Sequence, residues 1–225
     1  MPIGSGDRNA VIVLLGKKGA GKSYKLRELV GPCRRLLVAD VEASWDLRPG
    51  DEVCEGAPAL LERIEHSNAL DPAVPFRWIY RDAASRMALT APGAAFVLRN
   101  CTLVIDELAW LCRRPPAPLP PYVERLLQFG RKRRVNLLGT TREPQEIPDL
   151  FYPTADLLYF FRVDPGNGLD RVRQRYRDLA GELPTLPDRA FRTYGNPDVL
   201  ALLGREGLDL ASVRRQPRQR TKRRR

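Results

Sequence analysis

The chain has 225 residues, 43% of them hydrophobic, and its 38 lysines and arginines outweigh 27 acids for a net charge of +11. That length suits one domain of ordinary to large size, and the apolar content excludes a wholly disordered chain. No apolar run approaches the roughly 18 residues of a membrane-spanning helix, and residues 1–7 lack the basic and apolar regions of a secretory signal, so a soluble intracellular protein is expected.

In chain order, residues 1–9 read as a flexible leader, and the continuous apolar run 10–15 predicts a buried central strand covered on both faces. Gly16-Lys17-Lys18-Gly19-Ala20-Gly21-Lys22-Ser23 follows at once and satisfies every fixed position of a G-x-x-x-x-G-K-[ST] phosphate-binding loop. Backbone N–H groups of such a turn converge on an anion. The helix behind it, predicted over 22–30 and stopped by Gly31-Pro32, adds the positive end of its dipole. Lys22 is expected to neutralise the β- and γ-phosphates of a nucleoside triphosphate, Ser23 to place its hydroxyl on Mg2+, and Tyr24 to end the nucleotide-binding segment.

A second buried strand, 34–40, ends at Asp40 and is followed by Glu42, where a parallel strand delivers its C-terminal end to the ligand crevice. Residues 45–58 read as loop, 59–67 as a short helix, and 75–81 as a strand in which Phe76, Trp78 and Tyr80 alternate with Arg77, Ile79 and Arg81. That alternation suits either bases stacked on the aromatics or a half-buried strand with a basic outer face, and the second is preferred. A helix within 82–98 leads to the apolar strand 101–106, which ends in two adjacent carboxylates, Asp106 and Glu107. Alone this is a weak motif. Downstream of a complete phosphate loop it has the form of a Walker B segment, with Asp106 holding Mg2+ through water beside Ser23 and Glu107 activating a water for in-line attack on the γ-phosphate. The pair argues for hydrolysis of the nucleotide.

The proline-rich run 113–121 reads as an exposed loop, either a lid or subunit contact or a partner-binding polyproline segment. A helix over 122–130 leads through Arg131-Lys132-Arg133-Arg134 into the strand 135–141. This basic cluster is either a solvated turn or the source of an arginine finger that reaches a neighbouring subunit's γ-phosphate, with Arg131 the first candidate. Thr140 and Thr141, at the end of that strand, stand where a polar sensor would meet the attacking water or the γ-phosphate. A last core strand is predicted over 156–163, then a helix over 169–179 whose Arg171, Arg173, Arg175 and Arg177 spread around it. Beyond lies an arm packed on the core or on a neighbour, with short helices at 198–203 and 208–213.

Residues 214–225 hold eight lysines and arginines and no acid, which leaves +3 for the rest of the chain. Such a tail is expected to be disordered, and either to meet nucleic acid by neutralising phosphates or merely to solubilise the protein. Cys33, Cys54, Cys101 and Cys112 form no C-x-x-C pair and His66 is the only histidine, so buried reduced thiols are expected rather than zinc.

The phosphate loop, the acid-ended strand at Asp40, the run Val104-Ile-Asp-Glu107 and the run Phe129-Gly-Arg-Lys-Arg-Arg-Val-Asn-Leu-Leu-Gly-Thr-Thr-Arg-Glu-Pro144 together resemble the HerA/FtsK superfamily of DNA-pumping ATPases, over about residues 10–163. Within it, the small size is similar to the genome-packaging ATPases of tailless, internal-membrane phages and archaeal viruses. The family pattern carries Gln where this chain has Thr141, before Arg142 and Pro144. The resemblance implies an α/β fold: a RecA-like P-loop NTPase core with a mostly parallel central sheet flanked by helices and the Walker B strand inside it, then a C-terminal helical extension and a disordered basic tail. The implied divisions are 1–9, 10–163, 164–213 and 214–225. It also implies ATP with Mg2+, a homomeric ring (a pentamer or hexamer) around double-stranded DNA, capsid or portal-vertex partners, and action in the host cytoplasm or in the virion. Arg131, Arg133 or Arg134 would act across a subunit boundary. Two other classes share part of the pattern. Zonula-occludens-toxin-like ATPases extrude filamentous phages and carry a membrane span, and P-loop kinases need no water-activating glutamate.

Overall fold

The computed structural model describes residues 9–112, 119–142 and 144–203. The expectations for residues 1–8, for 113–118, for the helix 208–213 and for the tail 214–225 therefore lie outside the described residues.

Eight strands of the described residues form one sheet: β1 (Val11–Leu15), β2 (Arg35–Asp40), β3 (Glu52–Glu55), β4 (Phe76–Arg81), β5 (Cys101–Asp106), β6 (Val135–Thr141), β7 (Leu157–Phe160) and β8 (Arg192–Gly195). Their spatial order is β3-β4-β2-β5-β6-β1-β7-β8, parallel throughout except for the antiparallel pair β7–β8. The helices are α1 (Lys22–Val30), α2 (Gly56–His66), α3 (Ala84–Leu98), α4 (Leu108–Cys112), α5 (Pro121–Arg133), α6 (Phe151–Thr154), α7 (Asn167–Arg175) and α8 (Arg177–Ala180), with 3-10 turns at Pro144–Glu146, Leu183–Thr185 and Pro197–Leu203.

The apolar strands are continuous because both faces are covered. On one face Val13, Leu15 and Leu37 pack against Met87 and Ala91 of α3, Val123 and Leu126 of α5, and Val172 of α7. On the other, Ile12, Leu14 and Val38 pack against Leu26 and Leu29 of α1 and Leu200 of the last 3-10 turn. This is the mostly parallel, helix-flanked sheet of a RecA-like P-loop NTPase. β6 lies between β1 and β5, with Leu15 opposite Thr141 and Ile105 opposite Gly139. The C-terminal ends of these three strands thus carry the phosphate loop, the two acids and the two threonines to one edge.

The structure departs from the sequence reading in several places. The loop 45–58 contains β3, a four-residue edge strand in which only Cys54 is buried, so it lacks the apolar signature of a core strand. β4 has no basic outer face: Ile79 and Tyr80 are fully buried, Arg77 pairs with Asp51 at 2.7 Å, and Arg81 pairs with Asp40 at 2.9 Å. Phe76 and Trp78 stack on each other in the core and are unavailable to bases. The helix expected to end at residue 130 runs on through Arg133 and is closed by Arg134 in the left-handed region (φ 54°), so the basic cluster is its last turn, where cations meet the negative end of the dipole. The helix expected over 169–179 breaks at Tyr176 into α7 and α8, and its arginines are not simply dispersed, since Arg171 and Arg175 both pair with Asp149. α6 follows from no pattern noted in the sequence. β8 returns the chain beyond residue 164 to the sheet as an edge strand.

Arg35 ties the N-terminal edge together. Its buried guanidinium donates to the carbonyls of Ala69, Asp71, Val74, Leu98, Arg99 and Asn100 and stacks 4.7 Å from the Phe76 ring centroid. Replacing it by leucine fills the space but leaves those carbonyls without their donor. Arg35→Leu is expected to lower the unfolding free energy by about 3 kcal/mol in urea titration, and a loss below about 1 kcal/mol would contradict this role.

Candidate functional site

The phosphate loop, which follows β1, is braced by the end of β6, by the chain just after β7 and by itself. Gly16 N–H donates to Thr141 O at 3.2 Å, Lys17 N–H donates to Arg162 O at 2.8 Å, and the loop closes on itself through Ala20 N–H to Lys17 O at 3.3 Å. The N–H groups of Lys18, Gly19 and Gly21 find no acceptor among the described residues, so they remain for an anion, as does the N-terminal turn of α1. Lys22, in that turn, is buried and donates to Gly16 O at 2.5 Å and Lys17 O at 2.8 Å, which leaves its third N–H for a phosphate oxygen. Lys17 is turned away to pair with Asp164 at 2.9 Å, and Lys18 is exposed, so these two serve the loop through their backbone.

Across β6 stand the two acids. Asp106 Oδ1 accepts from Thr140 Oγ1 at 3.0 Å, and the same hydroxyl oxygen accepts from Glu107 N–H at 3.0 Å. Thr141 hydrogen-bonds the Glu107 carboxylate. The two threonines expected as sensors of phosphate or water thus engage the two acids. Glu107 is buried and has a positive φ of 78°, a costly conformation for a residue with a Cβ. Gly139 makes it possible: a Cβ there would lie 2.5 Å from Leu108, which tucks onto β6 directly after Glu107.

Arg142, one residue beyond β6, was part of the family run in the sequence but had no assigned role. Its Nε lies 3.2 Å from Glu107 Oε2, its N–H donates to Glu107 Oε1 at 3.4 Å, and its guanidinium also pairs with Glu42. No local pattern signals this, because the Glu42 pairing joins residues 100 positions apart. Asp40 turns out to be structural: it accepts from the N–H groups of Ser44 and Trp45 and from Arg81. Arg131 lies at the opposite end of the strands, near Asp156 just before β7, where burial raises the carboxyl's pKa and Arg131 offsets part of that rise. The seven residues of β6 separate it from the loop by about 20 Å, so any part it plays at a phosphate is played on another chain.

Burial pushes the Lys22 ammonium from 10.5 down to about 8; Glu107 and Asp106 oppose that shift and Arg142 adds to it. Burial likewise raises Glu107, against the pull of Arg142 and Lys22, and raises Asp106, with Asp40 and Glu42 adding to the rise. A buried carboxylate crowded by two others is a place where a divalent cation is favourable, and the hydroxyl of Ser23 supplies a second hard oxygen. The donor set therefore fits Mg2+ completed by phosphate and water oxygens. Among the described residues no group of three or more histidine, cysteine or acidic side chains could hold a metal by itself, and Cys33, Cys54 and Cys101 are buried free thiols.

No family model matches the chain, and no curated protein matches it. Solved structures do. The genome packaging NTPase B204 from Sulfolobus turreted icosahedral virus 2, in complex with AMP, superposes with a TM-score of 0.67 at 17% identity, over 83% of this chain and 92% of that one. The same protein with ATP-gammaS gives 0.66 at 17% identity over 84% and 93%. B204 from Sulfolobus turreted icosahedral virus, described as a DNA-packaging ATPase, gives 0.62 at 17% over 84% and 93%. At this identity the likeness establishes the fold. No helix of the described residues is long and apolar enough to cross a membrane.

Because the folded pKa of Lys22 lies below its unfolded value, the unfolded chain binds more protons between about pH 8 and 10.5, and this group makes the fold gain stability as pH rises through that window. A bound triphosphate reverses the shift by stabilising the ammonium. Binding at pH 8 is therefore expected to take up about half a proton, read by calorimetry in two buffers of different ionisation enthalpy. Binding without proton uptake would contradict the assignment of Lys22 to the phosphates.

Proposed function

We propose that the protein is an ATP-driven double-stranded DNA translocase, a viral genome-packaging motor that works as a homomeric ring of five or six subunits. One observation carries the reading: the buried lysine of a complete phosphate loop after β1 stands electrostatically coupled to two carboxylates at the end of β5, across the single strand β6 of a RecA-like sheet. A loop alone stores a nucleotide, whereas a loop facing a buried base can hydrolyse one.

In this reading the loop amides and Lys22 bind the phosphates, and Ser23 and Asp106 hold Mg2+, which would neutralise developing charge on the β- and γ-phosphates. Glu107, made more basic by burial, takes the proton of the attacking water as the water oxygen bonds to the γ-phosphorus and ADP departs. Thr140 and Thr141 fix the acids, and Arg142 holds Glu107 oriented until the substrate is in place. Arg131, or Arg133 or Arg134, stabilises transition-state charge on a neighbour's γ-phosphate. DNA as the substrate is supported by the basic composition, by the run of eight cations in residues 214–225, and by the likeness to proteins described as packaging ATPases. Pumping reads no bases, and phosphate contacts suffice. The protein would act in the host cytoplasm against capsid or portal-vertex proteins, and could remain in the virion.

The deciding experiment is steady-state ATP hydrolysis with and without long double-stranded DNA, at low and moderate salt, for the full chain and for a chain ending at Val213. Stimulation that weakens with salt is expected, with its loss in the shortened chain assigning DNA capture to the tail. Hydrolysis indifferent to DNA in every condition would favour an assembly ATPase that extrudes virions. Glu107→Gln should keep nucleotide affinity and lower turnover at least about 100-fold. Mixing Arg131→Ala subunits with Lys22→Ala subunits should restore part of the activity each lacks alone, because one intact site then forms between them. No recovery at any ratio, for Arg131, Arg133 or Arg134, would remove the finger from the mechanism.

A further inference from the structure

The segment 187–191, between the 3-10 turn Leu183–Thr185 and β8, crosses the phosphate loop as a strap. Arg189 N–H donates to Ala20 O at 3.2 Å, and a Cβ on Gly21 (φ 101°) would lie 3.0 Å from Arg189 Cα, so the close approach needs glycine there. The strap is anchored on both sides. Asp188 pairs with Arg162 at 2.7 Å, and the Phe191 ring sits 5.1 Å from Tyr159 and 5.4 Å from Phe161, with Lys25 Nζ 5.2 Å from its centroid.

Held there, Arg189 adopts a positive φ of 64° and sets its guanidinium 5.2 Å from the ring centroid of Tyr24, the residue after Ser23. The Tyr24 side chain is exposed to 61%, although its neighbours Lys22 and Leu26 are buried. Phosphate chemistry uses neither group. An exposed phenol ring with a guanidinium carbon over it, held at the rim of a phosphate loop by a strap residue at positive φ, offers a stacked π and cationic surface beside the phosphates' place.

We propose that Tyr24 and Arg189 form the platform on which the base of the bound nucleotide stacks. The inference rests on the reading of the loop as a nucleoside triphosphate site and adds what that reading lacks: the part of the protein that distinguishes a nucleotide from a bare polyphosphate. Stacking uses the face that every base has, so the platform favours nucleotides as a class and not adenine over guanine.

The test is equilibrium binding of ATP, GTP and inorganic tripolyphosphate, each with Mg2+, to the full chain and its variants Tyr24→Ala, Tyr24→Phe and Arg189→Gly. Glycine keeps the strap N–H and suits the positive φ while removing the guanidinium. Tyr24→Ala and Arg189→Gly are expected to weaken ATP and GTP alike by about tenfold and to leave tripolyphosphate within about twofold, with Tyr24→Phe close to the parent chain. Equal losses for all three ligands would mean that the strap only braces the loop, and loss for ATP but not GTP would mean that the base edge is read; either overturns the platform, as does no loss at all. A parent chain that binds none of the three would instead overturn the nucleotide site itself.

Discussion

Two buried charges and a half-buried one depend on one another at one end of the sheet. Burial alone pushes the Lys22 ammonium toward neutrality and the Asp106 and Glu107 carboxylates toward protonation; the two acids oppose the first shift, Arg142 and Lys22 oppose that of Glu107, and the Thr140 hydroxyl and Arg27 oppose that of Asp106. That compensation requires β6 to lie between β1 and β5, so that the phosphate loop and the acids face each other across one strand instead of sitting on adjacent ones. The balance is incomplete. Lys22 remains well below its ordinary value, and the acids remain above theirs, so on the proposed reading a triphosphate with its divalent cation would complete a charge set that the protein leaves half-finished.

The same end of the sheet stores conformational cost. Glu107 in the left-handed region costs on the order of 1–3 kcal/mol, and it persists because its surroundings over-determine it: the Thr140 hydroxyl takes its N–H, Arg142 takes its carboxylate, and Leu108 locks against the bare Cα of Gly139. In the proposed mechanism this would give a base whose carboxylate is positioned before substrate arrives, with an ion pair to Arg142 that must loosen if Glu107 is to accept a proton. Arg142 also holds Glu42, so it can shift between two carboxylates without leaving either charge wholly uncompensated.

What was legible in the sequence follows from how local the signal is. The phosphate loop, the buried strands at its two sides and the acid-ended β5 announce themselves within a few residues, through glycine spacing and continuous apolar runs. β3 and β8 do not, because a four-residue edge strand carries neither the length nor the burial that makes a pattern. The threonines were placed at the right strand end, but their hold on the acids was not legible: β6 brings Thr140 within hydrogen-bond reach of Asp106 and of the Glu107 N–H, and only the register of β5 against β6 reveals that. Arg142 and Arg189 depend on contacts with Glu42 and Ala20, each made across long stretches of chain, and no period or spacing encodes them.

The sheet also has two unlike ends. At one lie the loop, the acids and the strap; at the other, about a strand length away, lies the last turn of α5 with Arg131, Lys132 and Arg133. A subunit cannot bring its own α5 terminus to its own phosphates, since β6 is a rigid spacer between them. In a ring with heterologous, head-to-tail contacts, however, unlike patches of neighbouring copies meet at every interface, and the spacer then becomes a connection. In the proposed mechanism, a change of charge at one nucleotide, felt by Glu107 after β5 and by Arg142 after β6, would be carried by β6 to the helix whose cations would then face the next subunit. On the ring proposed above, coupling between successive hydrolysis events needs no extra domain, because the strand that carries Thr140 begins where α5 ends.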